Sequence, residues 1–178
     1  MKNKNIILGV TGSIAAYKAC DLIRALQKLG LSVTVVMTRE AKEFVTPLTF
    51  QQLSQNKVYE DMFEKDIDVE IEHIALADKA ALVLIAPATA NIIGKIASGI
   101  CDDLLSCTVV ATKKPVLIAP AMNENMYTNR VVQYNINKLK SLGYKFIPPR
   151  KGELACGKVG WGCLAEIEEI VRQVKKIL

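Results

Sequence analysis

Residues 6–37 read IILGVTGSIAAYKACDLIRALQKLGLSVTVVM, and this stretch decides the fold class. Its two apolar ends, residues 6–10 and 31–37, predict short buried strands. Between them, apolar residues recur at helical spacing up to Leu29, and Gly30 provides a helix stop. A strand, a helix and a second strand within about 30 residues are typical of a doubly wound parallel sheet. We therefore predict a three-layer α/β fold, Rossmann-like or flavodoxin-like, in a single domain.

The remainder of the chain extends this pattern. Apolar runs at 82–86 and 115–119 predict further buried strands, and 144–147 predicts the last strand. The mixed, charged segment 57–69 predicts a surface connection. Helices are predicted at 40–44, 46–55, 102–112, 129–142 and 166–178.

The composition of the chain limits the classes of function. Its 178 residues fit one domain, and a hydrophobic content of 51% excludes a disordered chain. The longest uncharged apolar run, near residues 80–88, is far shorter than the roughly 18 residues that a membrane span needs. The first residues lack a signal-peptide pattern. We therefore expect a cytoplasmic protein with no membrane partner.

Charge and cysteine content argue against two further classes. The net charge of +5 is spread along the chain, which does not match the clustered footprint of a nucleic-acid binder. The cysteines show no zinc-type spacing and His73 is the only histidine, so a metal site is not expected. We expect the thiols to be reduced.

The turn after the first strand favours a phosphate over a dinucleotide. Residues 9–13, Gly-Val-Thr-Gly-Ser, lack the full Gly-x-Gly-x-x-Gly spacing of a dinucleotide site. Thr38 follows the second strand, where a ribose-binding site has an acidic residue. A hydroxyl and helix N-terminal amides suit a phosphate, although a tight turn with a helix N-cap would use the same residues.

Two loops after buried strands are candidate ligand contacts, because open α/β folds bind ligands at the carboxyl ends of their strands. The first, residues 87–91 or Pro-Ala-Thr-Ala-Asn, has small residues that allow a flat ring to approach. Thr89 and Asn91 could bind the polar edge of such a ring or cap the next helix. The second, residues 120–127 or Pro-Ala-Met-Asn-Glu-Asn-Met-Tyr, is either a ligand loop or a helix cap.

Two other features leave a choice between structure and function. His73 precedes a buried strand, and a lone histidine beside apolar residues is either structural or catalytic. Residues 150–163, Arg-Lys-Gly-Glu-Leu-Ala-Cys-Gly-Lys-Val-Gly-Trp-Gly-Cys, are rich in glycine and carry one Trp and two cysteines. Such a segment favours a flexible functional lid at about 150–164 over a simple linker.

Together these segments resemble the motifs of the homo-oligomeric flavin-containing cysteine decarboxylases. Residues 120–127 are similar to the family's Pro-x-Met-Asn-x-x-Met-Trp motif, with Tyr127 in the Trp position. The chain departs at Ile92, which replaces a Thr, and at 79–81, where many relatives have Trp-Ala-Asp. The resemblance runs from about residue 4 to about residue 164. The family's Gly-Ser-Ile-Ala, His-Ile-x-Leu, Pro-x-x-Ala-Asn-Thr and Ala-Cys-Gly segments have counterparts at 12–15, 73–76, 87–92 and 155–157.

For the cofactor, the resemblance implies flavin mononucleotide (FMN), with its phosphate at the first turn and its ring near the strand-end loops. Relatives also have an Asp-Leu-Leu-Ser segment near the flavin, which matches residues 103–106. The implied cofactor contacts are Gly12, Ser13, Ile14, Thr38, Ala88, Thr89, Ala90, Asn91, Ser106, Ala121 and Met122.

For the reaction, the resemblance implies decarboxylation of a carboxy-terminal cysteine, and the matching branch acts on 4'-phosphopantothenoylcysteine in coenzyme A synthesis. Such a reaction needs an electron sink, which a flavin provides by oxidising the CH2–S unit to a thioaldehyde. His73 is the implied base or orienter of this oxidation, and Cys156 is the implied acid of the reductive half. Asn123 is expected to hold the substrate carboxylate, and Met126 and Ala155 are expected to line that pocket.

Other proteins of similar sequence remain as alternatives. The segment Ala155-Cys156-Gly157 argues against a peptidyl-cysteine decarboxylase, which releases an enethiol. A flavin-binding regulatory protein usually loses part of the catalytic set or gains acidic extensions. The resemblance also implies a homo-oligomer built from trimers. Because the chain ends at Leu178, we expect the ligase of the preceding step to be a separate protein.

Overall fold

The computed structural model describes residues 4–62, 72–155 and 157–178. Within these ranges a parallel sheet is covered by helices on both faces, so the predicted α/β fold is confirmed. The order across the sheet is β3-β2-β1-β4-β5-β6. The strands are β1 Asn5–Val10, β2 Ser32–Met37, β3 Val58–Tyr59, β4 Leu82–Ala88, β5 Val116–Pro120 and β6 Lys145–Phe146.

Helices form the two outer layers. Helices α1, α2 and α8 cover one face of the sheet, and α3, α4, α5 and α7 cover the other. Two 3-10 helices, Ile14–Tyr17 and Arg39–Glu43, follow β1 and β2. The α-helices are α1 Lys18–Gln27, α2 Pro47–Ser54, α3 Glu72–Lys79, α4 Ala90–Ser98, α5 Leu104–Ala111, α6 Glu124–Thr128, α7 Arg130–Ser141 and α8 Ile167–Ile177.

The central strands are apolar because both of their faces are covered. All residues of β4 are buried, and in β1 Leu8 packs with α1 and α8 while Ile7 packs with the helices of the other face. This double burial explains why the strands appear in the sequence as continuous apolar runs rather than as an alternating pattern.

The strand order places a crevice between β1 and β4. From β1 the chain continues to β2 on one side, whereas β4 leads to β5 on the other side. In open α/β sheets, ligands bind at this switch point, outside the carboxyl ends of the strands. Residues 11–13 and 89–91 follow these two strand ends directly.

Two expectations about the strands are wrong. Val58–Tyr59 is part of the sheet rather than of a surface connection, because it pairs with Val35 and Val36 of β2. Residues 63–69 of that segment lie outside the described residues. Residues 144–147 do not contain the last strand, since β7 Arg150–Glu153 and β8 Val159–Cys163 form an antiparallel hairpin after it. Val58–Tyr59 and β7 are short and β8 is glycine-rich, so none of these strands gives an apolar pattern in the sequence.

No helix in the described ranges is long and apolar enough to cross a membrane.

Gly9 provides a test of how β1 packs. A β-carbon on Gly9 would lie 2.5 Å from Leu105 Cδ1 of α5. Because overpacking forces side chains from their rotamers, Gly9→Ala should lower the free energy of unfolding by about 1–3 kcal/mol. The control is Gly94→Ala in α4, whose β-carbon would be 3.8 Å from its nearest neighbour, Asn135 Nδ2. It should raise that free energy by about 0.5–1 kcal/mol through helix propensity. Urea unfolding measures both, and equal effects would contradict the packing argument.

Candidate active site

Thr11 joins the ends of β1 and β4 at the switch point. Its hydroxyl donates to Pro87 O at 2.8 Å and accepts from Thr89 N at 3.1 Å, and the residue is 1% exposed. Thr11 is not among the site residues predicted from the sequence. The sequence shows only a hydroxyl residue in the first turn. Its hydrogen-bond partners, Pro87 and Thr89, follow from the strand order, which the sequence does not give.

The first turn is shaped by Gly12 and Ser13. The Ser13 hydroxyl accepts from Ala15 N at 3.3 Å and so caps the 3-10 helix. A β-carbon on Gly12 would overlap Cβ of Glu40, so this position requires glycine. The turn places backbone amides at a helix start, which fits a phosphate.

Thr38 lies beside this turn, because its backbone N–H donates to Val10 O at 3.0 Å. Thr38 is 7% exposed, and within the described ranges its buried hydroxyl oxygen has no hydrogen-bond partner. A buried polar group without a partner is costly. A polar ligand atom at the switch point would satisfy it, so Thr38 fits its predicted place beside a nucleotide cofactor.

A cavity of about 680 Å³ opens next to the first turn. Its walls come from the start of the α1 region, from the segment after β5 and from the β7–β8 hairpin. This volume is in the range of small-molecule sites. The cavity brings together six of the predicted site residues: Ser13, Ile14, Ala121, Met122, Asn123 and Ala155.

Asn123 stands at the start of α6. Its Oδ1 accepts from Asn125 N at 2.9 Å, so the predicted alternative of a helix cap is observed. The same residue lines the cavity, and capping fixes the orientation of its side chain. Met126, one turn further, is 47% exposed and is not among the cavity-lining residues in the described ranges.

The segment predicted as a lid is the β7–β8 hairpin and the turn between its strands. The turn is closed by a hydrogen bond from Leu154 N to Lys158 O at 2.8 Å, and it carries Ala155. Cys156 lies outside the described residues, so its predicted role stays a prediction. The hairpin lines the cavity, which favours a functional segment over a simple linker. Its flexibility stays a prediction.

The remaining predicted cofactor residues lie around the strand ends but outside the cavity lining. The Thr89 hydroxyl caps α4 by accepting from Ile92 N at 3.3 Å, and Asn91 is exposed. The Ser106 hydroxyl is fully buried and shares a capping box with Asp103. Their contacts to a cofactor stay predictions. The cavity lining also omits Gly12, Thr38, Ala88 and Ala90.

His73 is not brought to the cavity by its own chain. It is half-buried on α3, which packs against α5 on one face of the sheet. The cavity-lining Ala15 and Leu164 belong to the core of the opposite face. The predicted role of His73 in this chemistry stays a prediction.

The start of α5 is fixed by charge. Lys95 pairs with Asp102 at 2.8 Å and with Asp103 at 2.7 Å. The hydrogen bond from Lys95 lowers the pKa of the Asp102 carboxyl. In the next turn, burial raises the pKa of the Cys107 thiol, which keeps it protonated at neutral pH. Within the described ranges, no group of three His, Cys, Asp or Glu side chains could hold a metal ion.

A phosphate-compatible first turn, an unpaired hydroxyl and a cavity beside that turn are typical of a nucleotide-binding α/β protein. The family model described as "Flavoprotein" matches residues 1–178, and the chain belongs to this family. The relationship to flavin-containing proteins that was predicted from the sequence motifs is therefore confirmed.

Proteins with high sequence identity to this chain include a coenzyme A biosynthesis protein. The chain is 51% identical to the "Coenzyme A biosynthesis bifunctional protein CoaBC" of Bacillus subtilis, over 99% of this chain and 43% of that protein. It is 47% identical to the "Probable phosphopantothenoylcysteine decarboxylase" of Streptococcus mutans, over 98% of this chain and 99% of that protein. The chain thus spans less than half of the bifunctional relative.

A solved structure supports the same relationship. A PPC decarboxylase mutant complexed with pantothenoylaminoethenethiol has a TM-score of 0.87 and 33% sequence identity to this chain. The match covers 98% of both chains.

Thr11 is the residue to test in this site. Thr11→Val removes the hydroxyl and leaves Pro87 O and Thr89 N without their partner, which should lower the free energy of unfolding by about 1–3 kcal/mol. Flavin should also be lost more readily on dialysis, since the strand ends are no longer joined. Thr11→Ser retains the hydroxyl and is the control. Urea unfolding and flavin absorbance after dialysis check this, and equal stability of the two variants would contradict it.

Proposed function

We propose that this chain is an FMN-dependent decarboxylase that converts 4'-phosphopantothenoylcysteine into 4'-phosphopantetheine in coenzyme A biosynthesis. The observation that carries the proposal is the cavity, in which the first turn, Asn123 and Ala155 converge. The first turn is suited to the cofactor phosphate, and the other two residues match the substrate contacts of the resembling family. The names of two relatives support it, one a coenzyme A biosynthesis protein and the other a probable phosphopantothenoylcysteine decarboxylase.

The first turn supports FMN as the cofactor. The turn at Gly12 and Ser13 begins a 3-10 helix, and the Thr38 hydroxyl has no partner in the described part of the chain. Neither position offers the carboxylate that would bind a dinucleotide ribose. When bound, the flavin would supply a two-electron acceptor for the CH2–S unit of the substrate and return the electrons after carbon dioxide has left.

Asn123 would hold the carboxylate that is lost. Its Oδ1 accepts a hydrogen bond from the N–H of Asn125, which fixes the orientation of the amide. An amide N–H is a suitable donor to a carboxylate, and it stabilises it without adding a charge that would oppose decarboxylation. Met126 would provide an apolar wall for the same pocket, and Ala155 would contact the substrate from the hairpin.

His73 would serve as the base or orienter of the oxidative half-reaction, supplied to the cavity by a neighbouring subunit. The family resemblance implies a homo-oligomer built from trimers, and the position of α3 on the opposite face is compatible with this arrangement. Imidazole is suited to the role because one ring nitrogen can accept a proton while the other donates a hydrogen bond.

Cys156 would provide the proton of the reductive half-reaction. A thiol is a far stronger acid than a serine hydroxyl and can protonate an enethiolate intermediate at neutral pH. A ligase that joins cysteine to phosphopantothenate would supply the substrate.

Cys156→Ser tests the reaction and the proposed acid together. Because oxidation and decarboxylation precede protonation, this variant should fold, keep its flavin, release carbon dioxide and accumulate an enethiol. Its product should be lighter by two hydrogens than the saturated thiol, as measured by mass spectrometry. If Cys156 is only a small buried side chain, the variant should lose about 1 kcal/mol of stability and still make the saturated thiol.

Two further measurements distinguish the proposed reaction from its alternatives. His73→Asn should fail before carbon dioxide is lost, so it should give neither product. If the wild-type chain releases no carbon dioxide from phosphopantothenoylcysteine but does so from a cysteine-terminated peptide, the substrate assignment is wrong. Release from neither would favour a flavin-binding regulatory protein.

A hybrid experiment tests the shared site. If His73 and Asn123 from different subunits serve one flavin, mixing His73→Asn chains with Asn123→Asp chains should restore part of the activity. Each inactive parent alone is the control, and mass spectrometry under native conditions verifies that hybrids form. No activity in verified hybrids would show that each chain supplies both residues to its own site.

A further inference from the structure

The β7–β8 hairpin needs support from its surroundings. Within the described residues it forms a sheet of its own rather than an extension of the main sheet. An isolated two-stranded hairpin is only marginally stable in water. An ion pair between Arg150 Nε and Glu166 Oε1, at 2.7 Å, ties the base of the hairpin to the start of α8. The side of the hairpin near the cavity is held by a different set of contacts.

Two hydrogen bonds connect strand β8 to the segment that contains Asn123. The backbone N–H of Met122 donates to Gly162 O at 3.0 Å. The carboxylate of Glu124 accepts from the backbone N–H of Trp161 at 2.9 Å. These contacts involve the residues immediately before and after Asn123, so the proposed substrate-binding amide is fixed to the hairpin on both sides.

The glycines of β8 allow this strand to lie close to the segment that contains Asn123. A β-carbon on Gly160 would lie 2.5 Å from Glu124 Oε2 and 2.8 Å from its Cδ. A β-carbon on Gly162, whose φ is +134°, would overlap the carbonyl oxygen of Met122. Gly160 therefore leaves room for the Glu124 carboxylate against the strand, and Gly162 leaves room for the carbonyl of Met122.

We propose that Glu124 is a positioning residue that holds the hairpin against the Asn123 segment. The carboxylate sets the distance between Asn123 and the hairpin turn that carries Ala155, so both can contact one substrate molecule. This inference rests on the proposed function for the identity of that substrate. The physical docking of the hairpin does not depend on it and can be measured by itself.

A purely local role for Glu124 must be distinguished from this one. Glu124 is the first residue of α6, where a negative charge is favourable for any helix. Glu168 is a matched control, because it is an acidic residue in the first turn of α8. Glu124→Gln is the conservative variant, since its amide oxygen can still accept from Trp161 N.

The first measurement is limited proteolysis with trypsin. Lys151 and Lys158 are exposed cleavage sites on the hairpin. Loss of a hydrogen bond to a charged acceptor should raise the initial rate of cleavage at these lysines by about tenfold in Glu124→Ala. Glu124→Gln should stay within about threefold of the wild type, as should Glu168→Ala. Mass spectrometry of the first fragments identifies the sites.

The second measurement is steady-state decarboxylation. Glu124→Ala should raise KM by about tenfold while flavin content stays the same, because the hairpin and Asn123 are no longer held together. Glu124→Gln should recover most of this loss. If the wild-type chain proves inactive on phosphopantothenoylcysteine, the proposed function fails, and the proteolysis result still decides the docking role of Glu124.

A double-mutant cycle tests the contact itself. Gly160→Ala should displace the Glu124 carboxylate and reproduce the faster cleavage of Glu124→Ala. In the Glu124→Ala background the added methyl group has room, so Gly160→Ala should add little. The inference is overturned if the two effects on cleavage are independent, or if Glu124→Ala is cleaved at the wild-type rate. If Glu124→Ala fails to fold, Gly160→Ala still tests the contact, and wild-type cleavage of that variant overturns the inference.

Discussion

The site depends on one buried hydroxyl at the place where the strand order reverses. Thr11 joins the carbonyl of Pro87 to the amide of Thr89, and so fixes the end of β1 relative to the end of β4. Parallel strands diverge here because the chain leaves them in opposite directions. Without a link, the two strand-end segments would be set only by their own turns. The Thr11 hydroxyl instead holds the first turn and the start of α4 together.

Several predicted ligand residues also act as helix caps, and the two roles are compatible. The side chains of Ser13, Thr89 and Asn123 each accept a hydrogen bond from a backbone amide of the helix that follows. Capping fixes a side chain in one rotamer and aligns the helix start with the strand end. A cap at the carboxyl end of a buried strand uses the same residue types as a ligand contact, which is why the sequence alone could not separate the two interpretations.

The sequence predicted the long features well and the short ones poorly. Strands β1, β2, β4 and β5 were recognised because they are buried on both faces and continuously apolar. The edge strand Val58–Tyr59 and the hairpin strands carry too few apolar residues to show a period. Asn123 and Ala155, which the motifs indicated as substrate contacts, both line the cavity, and their role in binding stays a prediction. The motifs could not place His73, because the face that a helix covers is set by strand order and not by local sequence.

The separation of the hairpin from the main sheet divides the chain into two parts with different tolerance to change. The walls that would contact the cofactor are built from strands whose backbone hydrogen bonds run through the centre of the protein. The hairpin exchanges hydrogen bonds mainly within itself and rests on the segment 122–124. Insertions or substitutions in its turn would reshape the mouth of the cavity and leave the strand register intact. This arrangement allows the residues at the cavity to change between related proteins while the parallel sheet stays the same.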